Sequence, residues 1–122
     1  MSQVAGMNHK SMAQIEGVLG YTFADSRLLQ LALRHASLSE DRHDSNERLE
    51  FLGDVVLSMV VCDYLFRTYP ALMEGDLTKI KSSVVGRRVC AEVAISRGFD
   101  GFLELGKGMA SRPTVPVSVA AA

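Results

Sequence analysis

Three carboxylates fall at helical spacing near the middle of the chain. Glu47, Glu50 and Asp54 stand at i, i+3 and i+7, which on a helix puts all three along one face. Like charges at these separations destabilise a helix by roughly 0.2–0.5 kcal/mol per pair. Gly53 beside them costs about 1 kcal/mol relative to alanine in a helix interior. Two local penalties within two turns call for a compensating interaction. A hard divalent cation supplies one: Mg²⁺ takes oxygen ligands, commonly one or two carboxylates completed by water and substrate phosphate. Glu50 and Asp54, one turn apart, can both reach a single ion, and Gly53 leaves room for another backbone or a nucleic-acid strand to approach.

Plainer roles exist for each group. An acid in a first helical turn is favoured by the helix dipole alone, which covers Glu47. Glu50 can pair with Arg48 or Arg42 at the surface. Asp54 leads into Val55-Val56-Leu57, so it is expected to be half-buried and to need a partner. Glu74 is a second-rank candidate, an acid in a turn near a helix start. His35 and His43 have no metal-ligand spacing with each other or with a cysteine. No nucleophile elbow, phosphate-binding loop or zinc knuckle occurs.

The 122 residues carry a net charge of −1, which excludes a uniformly basic nucleic-acid binder. The average conceals an asymmetry. Residues 40–54 hold six acids against Arg42 and Arg48, a net of −4. Residues 77–97 hold Lys79, Lys81, Arg87, Arg88 and Arg97 against Glu92, a net of +4. These segments either face one another or form a metal-loading cluster beside an anion-binding wall. With 48% apolar and 22% charged residues, the chain reads as one globular domain rather than collagen or disorder. It has no apolar run long enough for a membrane span and no secretory signal at its N-terminus. Cys62 and Cys90 sit in apolar segments and are expected to be buried free thiols of a cytoplasmic protein.

An all-α fold of about five helices is expected, with residues 1–10 a disordered N-terminal segment and a single domain over 11–122. Residues 11–19 form a short helix closed by Gly20. Asp25 or Ser26 caps a second helix that gives out by Ser37. Asp44 or Ser45 caps a long helix over 46–68, with Asp44 and Glu47 at capping-box spacing, and Tyr69-Pro70 ends it. Because only Ser58 is polar between Val55 and Cys62, this helix belongs in the middle of a bundle. Glu74-Gly75-Asp76 makes a turn whose Asp76 caps a further helix that runs to Gly98.

The string Glu47-Arg48-Leu49-Glu50-Phe51-Leu52-Gly53-Asp54 resembles the signature of the ribonuclease III endonuclease domain. Leu31-Ala32-Leu33-Arg34-His35-Ala36-Ser37 resembles the end of that family's preceding helix, with Arg34 and Ala36 where other residues are usual. Glu74-Gly75-Asp76-Leu77-Thr78-Lys79 resembles its next helix start, and Leu105-Gly106-Lys107-Gly108 its glycine-rich turn. The resemblance spans roughly residues 14–122 and implies a helical, homodimeric, Mg²⁺-dependent nuclease, with Mn²⁺ as a substitute metal. Its substrate would be double-stranded RNA, cut by a metal-activated water to leave 5′-phosphate and 3′-hydroxyl ends. It further implies that Glu50 and Asp54 are metal ligands, that Glu47 and Glu74 are acids of the catalytic valley, and that Phe51 packs into a socket on the other subunit. Lys79, Lys81, Arg87, Arg88 and Lys107 are the candidates for RNA phosphate contact. A-form duplex is read through shape, phosphate and 2′-hydroxyl, which suits a basic wall.

The chain departs from the family in three places. The family completes its metal site with an Asp and a Glu one turn apart on a helix that would begin near Ser118, yet no carboxylate follows Glu104. Met109 stands where relatives often have an acid, and no double-stranded RNA-binding domain is present. The expectation is therefore an endonuclease domain incomplete at its C-terminus. Three readings stay open: a piece of a full nuclease, favoured by the apolar end Val115-Pro116-Val117-Ser118-Val119; a natural short form that dimerises or binds RNA without cleaving; or a degenerate scaffold.

Overall fold

The computed structural model describes residues 9–38 and 40–103. Lys107, the glycine-rich turn around it, Met109 and the apolar stretch from Val115 lie outside the described residues, as do residues 1–8. Five α-helices follow one another: α1 (His9–Leu19), α2 (Ser26–Ala32), α3 (Glu47–Thr68), α4 (Glu74–Val84) and α5 (Arg87–Ser96). Short 3₁₀ segments occupy Ala36–Leu38, Arg42–Asp44 and Phe99–Phe102. Among the described residues there is no β-strand, and no helix is long and apolar enough to cross a membrane.

α1 starts at His9, two residues before the expected position, and ends where Gly20 takes a left-handed φ of +68°. There the Gly20 and Tyr21 N–H groups both donate to the Glu16 carbonyl, at 2.9 and 3.2 Å, closing the last turn. Asp25 caps α2: its Oδ1 accepts from the Arg27 backbone N–H at 3.0 Å. Hydrogen bonding from the Arg27 side chain, then from its backbone N–H, holds the Asp25 carboxyl below the usual aspartate range. α2 stops at Ala32, five residues short of the expected Ser37, with Leu33 as its C-cap. Met12 and Ile15 of α1 meet Leu29 and Leu33 in a small core, against which Phe23, Phe102 and Leu103 pack. The chain thus returns after α5 to seal the α1–α2 pair.

Neither Asp44 nor Ser45 takes the N-cap of α3. Asn46 does, with helical backbone angles and no side-chain cap, because Arg42–Asp44 is already a 3₁₀ turn. Ser45 Oγ accepts from the Glu47 N–H at 3.4 Å instead. Asn46 is 4% exposed and turned the other way. Its backbone N–H donates to the Arg34 carbonyl at 2.8 Å and its Nδ2 to the Ala32 carbonyl at 3.2 Å. This buried amide ties the start of α3 to the end of α2.

α3 ends at Thr68 with Tyr69 as C-cap, ahead of Pro70. Its expected place in the middle of a bundle is not seen among the described residues. α2 and α4 pack on part of it and Leu65 is its buried residue, while Phe51, Val55, Val56, Met59, Val60, Tyr64 and Phe66 are exposed. The described partners cover one side only. Cys62, expected to be buried, is exposed for the same reason, and Cys90 is half-buried; both are free thiols.

The basic segment also folds differently from its expected single helix. α4 already includes Glu74 and Asp76 in its first turn, and Met73, in extended conformation, is its N-cap. Asp76 is therefore a dipole-favoured acid inside the helix rather than its cap. The helix breaks at Val85-Gly86 and restarts as α5. Gly86 is extended there (φ −65°, ψ 154°), and a Cβ on it would lie 3.3 Å from the Ser82 carbonyl oxygen. α5 ends at Ser96 with Arg97 as its C-cap, and Gly98 follows at a φ of +74°, which glycine adopts at little cost.

Two substitutions test this account. Ile15→Ala, at a side chain 1% exposed in the small core, lowers unfolding free energy by about 2–5 kcal/mol in denaturant titration. Asn46→Ala leaves the Ala32 carbonyl without its side-chain donor and costs about 1–3 kcal/mol, read as a lower melting temperature.

Candidate active site

A groove of about 760 Å³ runs along the N-terminal half of α3. Glu47, Glu50 and Asp54 line it with Phe51, Val55 and Leu57 of the same helix, with Ala32 and Asn46, and with Val85, Arg87 and Cys90. The Asn46 anchor positions the acids by holding the first turn of α3 against α2. The break at Gly86 starts α5 at Arg87, and Arg87 and Cys90 of α5 line the same groove.

The three acids differ in environment. Glu47 is half-buried at the first position of α3. Glu50 and Asp54 are exposed, and among the described residues neither has an ion pair or a side-chain hydrogen bond. Asp54 is thus not the half-buried acid that its apolar neighbours led us to expect. It opens onto the groove because no described element covers that side of α3. Gly53 faces open space: beyond its own helical neighbours, no described atom lies within 4 Å of where its Cβ would be.

Among the described residues no three His, Cys, Asp or Glu side chains converge as a donor set for a metal. Glu50 and Asp54 offer two carboxylates one turn apart, both accessible and neither engaged by a described cation. That fits a hard dication held by two protein oxygens, with water and phosphate oxygens completing its shell.

Glu74 is not brought to this groove. It is exposed on the first turn of α4 and lines a separate groove between α3 and α4, with Met59, Cys62, Phe66 and Lys81. The basic candidates are likewise dispersed. Lys81 is half-buried beside Glu74, Lys79 lines neither groove, and Arg88 lies 3.9 Å from Glu92 within α5. Arg87 alone of these four reaches the acidic groove. The sequence reading passed over Asn46, whose signal was a polar amide at the start of an otherwise apolar helix. It also passed over Gly86, a glycine between a β-branched pair and two arginines.

The family model described as Ribonuclease-III-like matches residues 25–116, well over half of the chain. A protein named Ribonuclease 3 from Rhodopirellula baltica is 53% identical over 102 residues, covering 84% of this chain and 38% of that protein. One of the same name from Carboxydothermus hydrogenoformans is 42% identical over 106 residues, covering 84% of this chain and 45% of the relative. The chain therefore spans less than half the length of these curated relatives. The crystal structure of the nuclease domain of ribonuclease III from Campylobacter jejuni superposes with a TM-score of 0.80 at 32% identity, covering 99% of this chain and 76% of that one. A second structure of that domain, which concerns structural flexibility in a region involved in dimer formation, gives a TM-score of 0.78 at 34% identity. On its matched residues, its helical fold and its acidic helix edge, the chain belongs to the ribonuclease-III-like family.

Proposed function

We propose that the protein containing this chain is a Mg²⁺-dependent endoribonuclease that hydrolyses double-stranded RNA as a homodimer. The observation that carries this reading is the pair Glu50 and Asp54, both open to the groove and uncompensated by any described cation. Family membership supports the reaction class, and the relatives named Ribonuclease 3 support an RNA substrate. Two free cysteines and the absence of a membrane-spanning helix among the described residues accord with a cytoplasmic protein.

In this reading Glu50 and Asp54 hold the cation, Mg²⁺ or in its place Mn²⁺. When bound it lowers the pKa of a water and offsets negative charge growing on the phosphate. The chain's own residues do the rest. The α2–Asn46–α3 tie keeps both carboxylates on one rigid helix. Glu47, one turn before Glu50, extends the negative edge that orders water at the groove. Gly53 lets the RNA backbone approach the helix. Water adds across a phosphodiester, so that the 3′-oxygen leaves with a proton and the phosphate stays on the 5′ side. Glu74, in its own groove, is given the more distant role of an acid at the edge of the RNA path.

Phe51 supports the dimer. It is 78% exposed at the start of an apolar face that continues through Val55 and Met59, larger than a lone surface side chain accounts for. The C. jejuni nuclease domain, whose structure concerns a dimer-forming region, supports the same assembly. A second reading, a dimeric RNA-binding or scaffold form without catalysis, is favoured by the lack of a three-donor metal cluster among the described residues.

In the full-length protein Asp54→Ala is expected to cut long RNA duplex at least about a hundred-fold more slowly, the scale of a lost metal contribution of several kcal/mol, while duplex binding persists. Undiminished cutting removes the metal assignment. If the unaltered full-length protein binds duplex but never cleaves it with Mg²⁺, the scaffold reading replaces the enzymatic one. Phe51→Asp is expected to yield monomers in sedimentation, and an unchanged dimer contradicts its role.

A further inference from the structure

Asn46 joins three hydrogen bonds at one point of the chain. Its backbone N–H donates to the Arg34 carbonyl at 2.8 Å, its Nδ2 donates to the Ala32 carbonyl at 3.2 Å, and its own carbonyl accepts from the Glu50 backbone N–H at 2.8 Å. α2 ends at Ala32, and an α-helix leaves its last carbonyls without a donor of its own. Asn46 supplies one to Ala32 and another to Arg34 just beyond. The third bond opens α3, because the carbonyl of an N-cap residue accepts the first bond of its helix. The donor of that first bond is the backbone of Glu50, one of the two accessible carboxylates.

An asparagine at an N-cap ordinarily turns its side-chain oxygen onto the N–H groups of its own first turn. Asn46 makes no such bond. Its side chain is turned to α2, and the residue is 4% exposed. The local cap is given up for a tie to a neighbouring helix, at the residue whose carbonyl holds the Glu50 amide. Asp54, one turn deeper in α3, lies where the regular helical ladder holds the backbone without help. We propose that Asn46 is a positioning residue for the metal pair and acts through Glu50, not through Asp54. This rests on the reading of Glu50 and Asp54 as holders of one dication, and goes further by naming the residue that keeps one of the two in place. Helix ends fray, so without the tie the first turn of α3 loosens and Glu50 drifts while Asp54 stays. A dication that draws on both carboxylates then keeps one of them.

The test uses the full-length protein, unaltered and as Asn46→Ala, Asn46→Asp, Asp54→Asn and Ile15→Ala. Ile15→Ala is the control, since it lowers stability from the α1–α2 core. Two quantities are read below every variant's melting temperature: backbone amide exchange at Glu50 and Asp54 in metal-free protein, and Mn²⁺ affinity by electron paramagnetic resonance. Asn46→Ala is expected to speed exchange at Glu50, and to weaken Mn²⁺ binding, by roughly three- to thirty-fold each, the range of one lost buried hydrogen bond. Exchange at Asp54 stays unchanged. Asn46→Asp keeps the size and a good local cap but lacks the Nδ2 donor. It is expected to behave like Asn46→Ala, although it adds a negative charge near the cation. Ile15→Ala keeps the unaltered protein's Mn²⁺ affinity. Unchanged Mn²⁺ affinity in both Asn46 variants, with binding lost in Asp54→Asn, overturns the inference and leaves the metal reading standing. Unchanged affinity in Asn46→Asp alone also overturns it, since a local cap then suffices. So does an equal fall in Ile15→Ala, which marks general loosening. Should neither Asn46 variant fold, exchange in the unaltered protein decides. A Glu50 amide as slow as that of Asp54 supports the anchor, and one as fast as an unbonded amide overturns it. No saturable Mn²⁺ binding in the unaltered protein overturns the metal reading, and the inference falls with it.

Discussion

Electrostatic repulsion along one edge of α3 is the constraint on which the rest of the structure turns. Three carboxylates share that edge within two turns, and the exposed two, Glu50 and Asp54, meet no cation among the described residues. A helix built only for stability would place a lysine or arginine at one of those spacings. Among the described residues no cation neutralises that pair, and the groove leaves both carboxylates accessible. Asn46 fixes where the acids begin by donating to two carbonyls at the end of α2. The interruption at Gly86 begins the helix whose Arg87 and Cys90 line the same groove.

The same helix carries a second unsatisfied requirement on another face. Phe51, Val55, Met59 and Phe66 remain in contact with water, which forgoes about 25 cal/mol for each Å² of apolar surface left uncovered. Phe51 immediately follows Glu50 in sequence, so the acidic edge and the apolar face are adjacent sides of one rod. A partner packed on the apolar face would therefore lie beside the carboxylate edge of the same helix.

Much of this was legible in the sequence where local rules act alone. The long helix, its end before Pro70, the stops at Gly20 and Gly98 and the alignment of Glu47, Glu50 and Asp54 all follow from spacing and backbone preference. Other features depend on long-range packing, and there local rules misled. Val55-Val56-Leu57 suggested burial for Asp54, but burial depends on which elements cover the helix, and the described ones cover only part of it. The basic segment has continuous helical periodicity across Val84, Val85 and Gly86, so the break became visible only through the close approach of Gly86 to the Ser82 carbonyl. That break puts Arg87 and Arg88 on α5, apart from Lys79 and Lys81 on α4. Glu74 stands near the other acids in the resemblance-based expectation, yet the packing of α4 against α3 puts it in a different groove.

The central claim is that Glu50 and Asp54 act as a pair to hold one dication. Mn²⁺ titration of the full-length protein, followed by electron paramagnetic resonance and compared with Glu50→Gln and Asp54→Asn, tests it most directly. The account predicts a saturable site in the unaltered protein that weakens sharply in either variant, because one remaining carboxylate is a poor ligand set. Equal Mn²⁺ occupancy in all three proteins, or no saturable binding in the unaltered one, would contradict it.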